Sequence, residues 1–166
     1  MPPETWPPPS GTIPVQTKVS VKEKNTIFVT TGAQEVEKAI KIARNATGRP
    51  AVIAFAGGFT GRPFLGMALP GPDVPYKVGF GAMPGDVYHA PFPVPLHGVS
   101  VADSLAALDR LFKADVDPAR VAAIIVEPVQ GEGGFYEVPR DFMVALRKLC
   151  DQHGMLLIAD EVQTGF

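Results

Sequence analysis

The sequence predicts an α/β fold, in which helices cover both faces of a mostly parallel β-sheet. Short apolar segments alternate along the chain with longer segments whose apolar residues recur at helical spacing, which is typical of this fold class. Residues 51–55 and 121–126 contain no polar side chain, as expected of strands that are covered on both faces. Strand–helix–strand connections are right-handed and place their strands parallel to one another.

The composition is that of one globular domain, and it narrows the function classes. The chain has 166 residues, of which 46% are hydrophobic and 19% charged, enough to form a single core. A net charge of -2 argues against a nucleic-acid-binding surface and a basic membrane patch. We find no secretory signal and no apolar run of the roughly 20 residues that a membrane span needs. With a single cysteine, Cys150, the chain cannot form an internal disulfide, and we expect a cytoplasmic protein.

Residues 1–25 are predicted to be a proline-rich tail or arm, separate from the domain formed by residues 26–166. Prolines at positions 2, 3 and 7–9 fix φ and remove backbone donors, so this segment is a poor candidate for a helix or a central strand. Its simplest interpretation is a linker. The alternative is an interaction module, in which the three consecutive prolines serve as a polyproline ligand for another protein.

The first half of the domain is predicted to contain two strands separated by one helix. Residues 26–31 are rich in β-branched side chains and are predicted to be a strand. A helix is predicted after this strand, because four apolar residues recur there at helical spacing: Val36, Ala39, Ile40 and Ala43. Gly48 and Pro50 predict the end of this helix, and residues 51–55 are the second strand. Residues 64–99, rich in glycine and proline, form a long connection, which in a compact domain is usually functional.

The second half is predicted to contain two helices and two strands. Ser100, with Asp103 three residues later, predicts the N-cap of a helix. The apolar face of that helix consists of Leu105, Leu108, Leu111 and Phe112. A turn at residues 117–118 precedes the third strand, at residues 121–126. The next helix ends near Gly154, precedes a fourth strand at residues 155–159, and has an apolar face of Phe142, Met143, Leu146, Leu149 and Cys150.

Groups that can bind a charged ligand follow three of the four predicted strands. Thr31, Gly32 and Ala33 follow the first strand, residues 127–130 the third, and residues 160–163 the fourth. In open α/β sheets, ligands bind beyond the carboxyl ends of the strands. The first turn of a helix also offers N–H groups that attract a phosphate. Taken alone, each group is more often a plain turn, a helix cap or a solvated carboxylate, and their convergence is what indicates a site.

Four segments together resemble the class III aminotransferases, which are pyridoxal 5'-phosphate (PLP) enzymes of the aspartate-aminotransferase fold. The segments are residues 31–44, 57–62, 127–134 and 158–165, and they occur in the order of the family. The resemblance is strongest to 4-aminobutyrate (GABA) aminotransferase, including the loop of residues 84–98, with ornithine and acetylornithine aminotransferases as alternatives. It implies that residues 26–166 are part of the large, PLP-binding domain.

The resemblance also implies how PLP would be held. Backbone N–H groups of Gly32 and Ala33 would bind the cofactor phosphate, and Phe59 would stack on the pyridine ring. Asp160 would pair with the protonated ring nitrogen, and Gln163 would bind the ring oxygen. The implied cofactor site thus combines groups that follow different predicted strands.

On the substrate side, Arg62 matches the arginine that binds a substrate carboxylate. Glu132 matches the glutamate that masks a second arginine between the half-reactions, and Glu127 lies close to the site. With Asp160, these two carboxylates are the predicted catalytic residues. The implied reaction moves an amino group from an ω-amino acid, such as 4-aminobutyrate, to 2-oxoglutarate by a ping-pong route. A homodimer is implied, and no metal, nucleic acid or membrane partner is expected.

The sequence departs from the family pattern in three places. Thr60 stands where the family usually has histidine, a change that would loosen the site or be neutral. Pro63 follows Arg62 and, by fixing φ, would redirect the backbone at that arginine. None of the lysines matches the family lysine that forms a Schiff base with PLP. We therefore expect no catalysis by this chain alone, and the alternative is a truncated product that binds PLP weakly or pairs with a full-length subunit.

Overall fold

A parallel sheet forms the centre of the computed structural model, which describes residues 26–71 and 77–165. The sheet has four strands in the order β2–β1–β3–β6, and all neighbours are parallel. These strands are β1 (Ala51–Phe55), β2 (Val87–Ala90), β3 (Val121–Val126) and β6 (Leu156–Ala159). Two short strands, β4 (Val129–Gln130) and β5 (Tyr136–Glu137), form an antiparallel pair. The tail predicted at residues 1–25 lies outside the described residues.

The first helix precedes β1, and the helices after it lie between strands. The helices are α1 (Gly32–Thr47), α2 (Phe64–Ala68), α3 (Val101–Ala114) and α4 (Arg140–His153). Short 3-10 helices occupy Pro95–His97 and Pro118–Arg120, the second of them at the predicted turn. Within the described ranges, no helix is long and apolar enough to cross a membrane.

The residues of β1 show that helices cover both faces of the sheet. Alternate side chains of a strand point to opposite faces. Ala51, Ile53 and Phe55 pack in one cluster with side chains of α3 and α4, namely Leu108, Phe142, Leu146 and Cys150. Val52 and Ala54 pack in a second cluster with side chains of α1 and α2, namely Val36, Ile40 and Leu65. The predicted α/β fold class is confirmed.

The helix ends lie at capping residues, of which Gly48 and Ser100 were predicted from the sequence. Thr31 Oγ1 accepts the backbone N–H of Gln34 at 3.2 Å, which places the start of α1 at Gly32. Gly48, with φ 68°, ends that helix in the left-handed conformation. Ser100 and Asp103 form the reciprocal capping box at the start of α3. These caps fix where each helix meets the edge of the sheet.

The strand predicted at residues 26–31 is wrong. Residues 26–29 have no regular secondary structure, and Thr31 is the N-cap of α1. Ile27 is 58% exposed and Phe28 is 90% exposed, so the side chains on which the prediction rested are not buried by the described residues. No described strand pairs with this segment, and β-branched residues form a strand only where neighbouring strands pack against them.

Sequence patterns do not reveal β2, which lies inside the long connection of residues 64–99 and forms one edge of the sheet. The strand has four residues, and one of them is polar, so it shows neither an apolar run nor a clear alternation. That polar residue is His89, whose Nε2 lies 2.8 Å from the carbonyl oxygen of Ala68. The flanking prolines Pro84 and Pro91 were the available signal, because such residues bound short strands.

Candidate active site

The predicted site residues converge on two cavities at the edge where β1, β3 and β6 end. The first cavity, of about 210 Å³, is lined by Gly32, Ala33, Phe59, Glu127, Asp160 and Gln163, among others. The second cavity, of about 370 Å³, is lined by Arg62 and Glu132. Phe59 and Gly61 line both cavities and therefore form part of the wall between them. All five residues predicted to bind the cofactor thus line the first cavity, and both predicted substrate residues line the second.

The N-terminus of α1 forms one wall of the first cavity. N–H groups in the first turn of a helix have no partner within the helix, and the helix dipole makes this end partially positive. Gly32 and Ala33 occupy this turn and line the cavity. A Cβ atom on Gly32 would lie 2.8 Å from Val162 Cγ1, so glycine is needed here for packing. The segment that follows β6 therefore packs directly against the positive end of α1.

Residues 57–62, which we call the Phe59 loop, are anchored to the segment that follows β3. Glu127 Oε1 accepts the backbone N–H of Phe59 at 2.7 Å. Gln130 Nε2 donates to the carbonyl oxygen of Ala56 at 3.0 Å, just before the loop begins. These two hydrogen bonds join residues that are 68 and 74 positions apart in the sequence. They hold the wall between the two cavities in place.

The Phe59 loop also contacts α1. Gly61 has φ 92°, a left-handed conformation that glycine adopts without strain. A Cβ atom at this position would lie 2.6 Å from the Cβ of Ala33. The loop and the first turn of α1 are therefore in direct contact beside both cavities.

The departures from the family pattern at Thr60, in the loop, and at Pro63, just after it, are both accommodated by the fold. Thr60 is 7% exposed, and its Oγ1 donates to the carbonyl oxygen of Gly66 at 2.7 Å. The threonine therefore ties the loop to α2 and does not loosen it. Pro63 is the N-cap of α2 with φ -58°, a value that proline adopts without strain. Arg62, immediately before it, lines the second cavity.

Glu127 is an almost buried carboxyl group, 8% exposed, between the first cavity and the Phe59 loop. Burial raises the pKa of Glu127 to about 7, and the nearby carboxylates of Asp160 and Glu132 act in the same direction. Hydrogen bonds from the N–H groups of Phe59 and Gly131 oppose this increase. The charge of Glu127 therefore changes close to neutral pH.

Asp160 follows β6 and is half-buried in the wall of the first cavity. Burial raises the pKa of this carboxyl group, the charge of Glu35 adds to the increase, and a hydrogen bond from the Val162 N–H at 3.2 Å opposes it. A positive charge beside such a carboxylate stabilises its ionised form. The first cavity thus offers the start of a helix for an anion and a carboxylate for a cation.

Comparison with known proteins identifies the family. The sequence matches the family described as "Aminotransferase class-III" over residues 12–166, a range that includes residues 12–25, where we find no family motif. The chain belongs to the class III aminotransferases. This confirms the resemblance and the enzyme class of the family.

Curated relatives of this class III aminotransferase chain share more than half of the aligned residues. The 5-aminovalerate aminotransferase DavT of Pseudomonas putida is 58% identical over 143 residues, which are 86% of this chain and 34% of the relative. The 4-aminobutyrate aminotransferase GabT of Escherichia coli is 55% identical over 142 residues, which are 86% of this chain and 33% of the relative. The chain therefore spans about a third of the length of these relatives.

A solved structure supports the fold of this class III chain. The taurine:2-oxoglutarate aminotransferase of Bifidobacterium kashiwanohense, solved in complex with PLP and glutamate, superposes with a TM-score of 0.72 and 28% identity. The superposition covers 79% of this chain and 31% of the solved one. The α/β architecture is therefore that of a PLP-dependent transaminase.

Two residues with no individual role in the sequence prediction belong to the site of this class III chain. Gln130 anchors the Phe59 loop, and its place in the 127–134 motif was the available signal. Lys77 lines the second cavity together with Arg62, and its Nζ donates to the carbonyl oxygens of Pro70, at 3.3 Å, and of the next residue. No local pattern predicts the position of Lys77, because the fold alone brings it to the cavity.

Proposed function

We propose that this chain supplies the PLP pocket and a substrate-carboxylate site of an aminotransferase that moves the amino group of an ω-amino acid, such as 4-aminobutyrate, to 2-oxoglutarate. The proposal depends on one observation: the residues predicted to bind the cofactor line one cavity, the residues predicted to bind the substrate line the adjoining one, and Phe59 lines both. The relatives DavT and GabT are named for 5-aminovalerate and 4-aminobutyrate, two ω-amino acids. The solved neighbour is named for 2-oxoglutarate, which supports the choice of acceptor.

The residues of the first cavity fit PLP. The first turn of α1, at Gly32 and Ala33, would bind the phosphate through backbone N–H groups. Asp160 would hold a protonated ring nitrogen, since a positive charge beside its half-buried carboxyl group would stabilise the ionised form that burial disfavours. Phe59 supplies an aromatic face, and Gln163 an amide for the ring oxygen. When bound, PLP supplies an electron-poor ring that stabilises negative charge on the substrate carbon.

The residues of the second cavity fit the other end of an ω-amino acid. The guanidinium of Arg62 would bind the substrate carboxylate, for which its planar pair of donors is suited. Glu132 lines the same cavity and would balance a positive side chain there when no substrate carboxylate is bound. Because Phe59 lies between the cavities, a bound substrate would extend from Arg62 toward the first cavity.

Three further features belong to this proposal. Lys77 is the one lysine among the described residues that line either cavity, and it lines the second cavity, not the one assigned to the cofactor. A homodimer is proposed, and large exposed apolar side chains such as Leu96 and Phe135 are of the kind that interfaces cover. The cytoplasm is the proposed location, because the single Cys150 thiol is free and buried.

An amino-transfer assay tests the proposal. The protein is purified in the form in which its own gene expresses it. It is mixed with PLP, 4-aminobutyrate and 2-oxoglutarate, and the formation of glutamate is measured. Arg62→Lys is expected to raise the KM for 4-aminobutyrate roughly tenfold or more, because a charged bidentate pair contributes about 1.5–3 kcal/mol. Arg140→Lys, on the exposed side of α4, is the matched control and is expected to change nothing. Absence of glutamate, or an unchanged KM in Arg62→Lys, would contradict the proposal.

A further inference from the structure

Glu127 is pressed against the backbone of the Phe59 loop. Its Oε1 accepts the Phe59 N–H at 2.7 Å. A Cβ atom on Gly58 would lie 2.6 Å from the same oxygen, so the side chain and the loop leave no space between them. The N–H of Gly131 also acts on the carboxylate, which connects the loop to the turn that follows β4. This one carboxyl group therefore contacts the wall shared by both cavities.

We propose that Glu127 is a positioning residue that holds Phe59 between the two cavities when its carboxylate is ionised and loosens that hold when it is protonated. Glu127 would thus act through Phe59, without itself transferring a proton to or from the substrate. The proposal deepens the proposed function, on which it rests for the identity of the ligands that fill the cavities.

The ionisation of Glu127 matters because it changes the strength of one short hydrogen bond. A hydrogen bond to an ionised acceptor is roughly twice as strong as one between neutral groups. Burial raises the pKa of Glu127 to about 7, so both forms are populated near neutral pH. A change of about 1 kcal/mol in the free energy of the hydrogen bond to Phe59 corresponds to a roughly fivefold change in the equilibrium between the held and the released positions of Phe59.

The groups around Glu127 favour the protonated form. The carboxylates of Asp160, after β6, and Glu132, in the turn after β4, both repel a charge on Glu127. Glu35, on α1, acts on Asp160. Arg62, a positive side chain of the Phe59 loop, lines the second cavity. A cation bound at Asp160 would therefore offset one of the charges that repel Glu127 and would favour its ionised form.

Nuclear magnetic resonance of the protein without ligand tests the hold directly. The protein is labelled with ¹⁵N-phenylalanine, and the Phe59 amide signal is identified as the one missing from Phe59→Tyr. We expect that signal to follow a single titration with a midpoint near 7. Glu127→Gln is expected to abolish the titration. Glu132→Gln, the matched control, should retain the titration and lower its midpoint, because a repelling charge is removed.

A Phe59 signal that does not move with pH in the native protein would overturn the proposal, whatever the variants do. The same titration in Glu127→Gln would overturn it as well, since another group would then be responsible. Either result is obtained without any cofactor.

Ligand binding separates this inference from the proposed function. The Kd of pyridoxamine 5'-phosphate is measured between about pH 6 and about pH 8 in the native protein and in Glu127→Gln. The ratio of the variant Kd to the native Kd is expected to rise roughly fivefold across this range, which a purely structural role would not produce. Titration of Phe59 without ligand binding at any pH would contradict the proposed function and leave the positioning role supported. Ligand binding with a ratio of variant Kd to native Kd that does not change with pH would contradict the positioning role.

Discussion

The effect of Glu127→Gln on the free energy of unfolding, relative to the native protein, is expected to be more stabilising at alkaline pH than at acidic pH. Burial raises the pKa of Glu127 from 4.5 to about 7 in the folded protein. The stability that the neutral acid contributes is therefore fully present below pH 4.5 and is lost as the pH rises through about 7. Through linkage, this pKa difference corresponds to a loss of roughly 3 kcal/mol in the free energy of unfolding. Because the carboxyl group has partial contact with solvent through the cavity, we expect a loss of roughly 2 kcal/mol. Glutamine carries no charge and avoids this loss.

Urea unfolding at about pH 5 and about pH 8 measures the effect. The free energy of unfolding of Glu127→Gln minus that of the native protein should be roughly 2 kcal/mol more positive at the higher pH. Asp160, whose pKa is also raised, is present in both proteins, so its contribution largely cancels. Glu137→Gln, an exposed site on β5, is the control and should show no such trend. A difference that is independent of pH would refute the burial argument.

The Phe59 loop supplies two further predictions. Thr60→Val removes the donor to the carbonyl oxygen of Gly66, so the free energy of unfolding should fall by about 1–3 kcal/mol in urea; an unchanged value would show that this bond is not needed. Gly61→Ala places a methyl group 2.6 Å from the Cβ of Ala33 at φ 92°, and should cost about 1–3 kcal/mol and weaken binding of pyridoxamine 5'-phosphate. Gly85→Ala, where a Cβ meets nothing within 4 Å, is the matched control, and an equal loss there would remove the steric explanation.

The parts of the fold that the sequence predicts are those with a strong local signal. Residues 51–55 and 121–126 are apolar throughout, because helices cover both of their faces, and both were placed correctly. The helix start at Ser100 depends on hydrogen bonds only three residues long, which a sequence pattern shows directly. Residues 26–31 failed because strand formation depends on a neighbouring strand, which β-branched residues alone cannot guarantee.

The site shows the same division between local and distant information. The ends of the strands before Glu127 and Asp160 predicted a shared edge, and these residues do line one cavity together with Gly32, although the strand predicted before Gly32 is wrong. The hydrogen bond between Glu127 and Phe59 spans 68 residues, so no spacing rule predicts it. The pKa of Glu127 depends on burial by elements that are distant in the sequence. The second cavity brings Lys77 to Arg62 in the same way, through the fold alone.

Binding of pyridoxamine 5'-phosphate by the native protein and by Asp160→Asn tests the cofactor site most directly. This ligand carries the phosphate and the ring nitrogen but has no aldehyde that would react with surface lysines. We expect saturable binding to the native protein and roughly tenfold or more weaker binding to Asp160→Asn, because a charged hydrogen bond contributes about 1.5–3 kcal/mol. Asp151→Asn, exposed on α4, should bind as the native protein does. The absence of saturable binding, or equal binding by Asp160→Asn, would contradict the assignment of the first cavity to the cofactor.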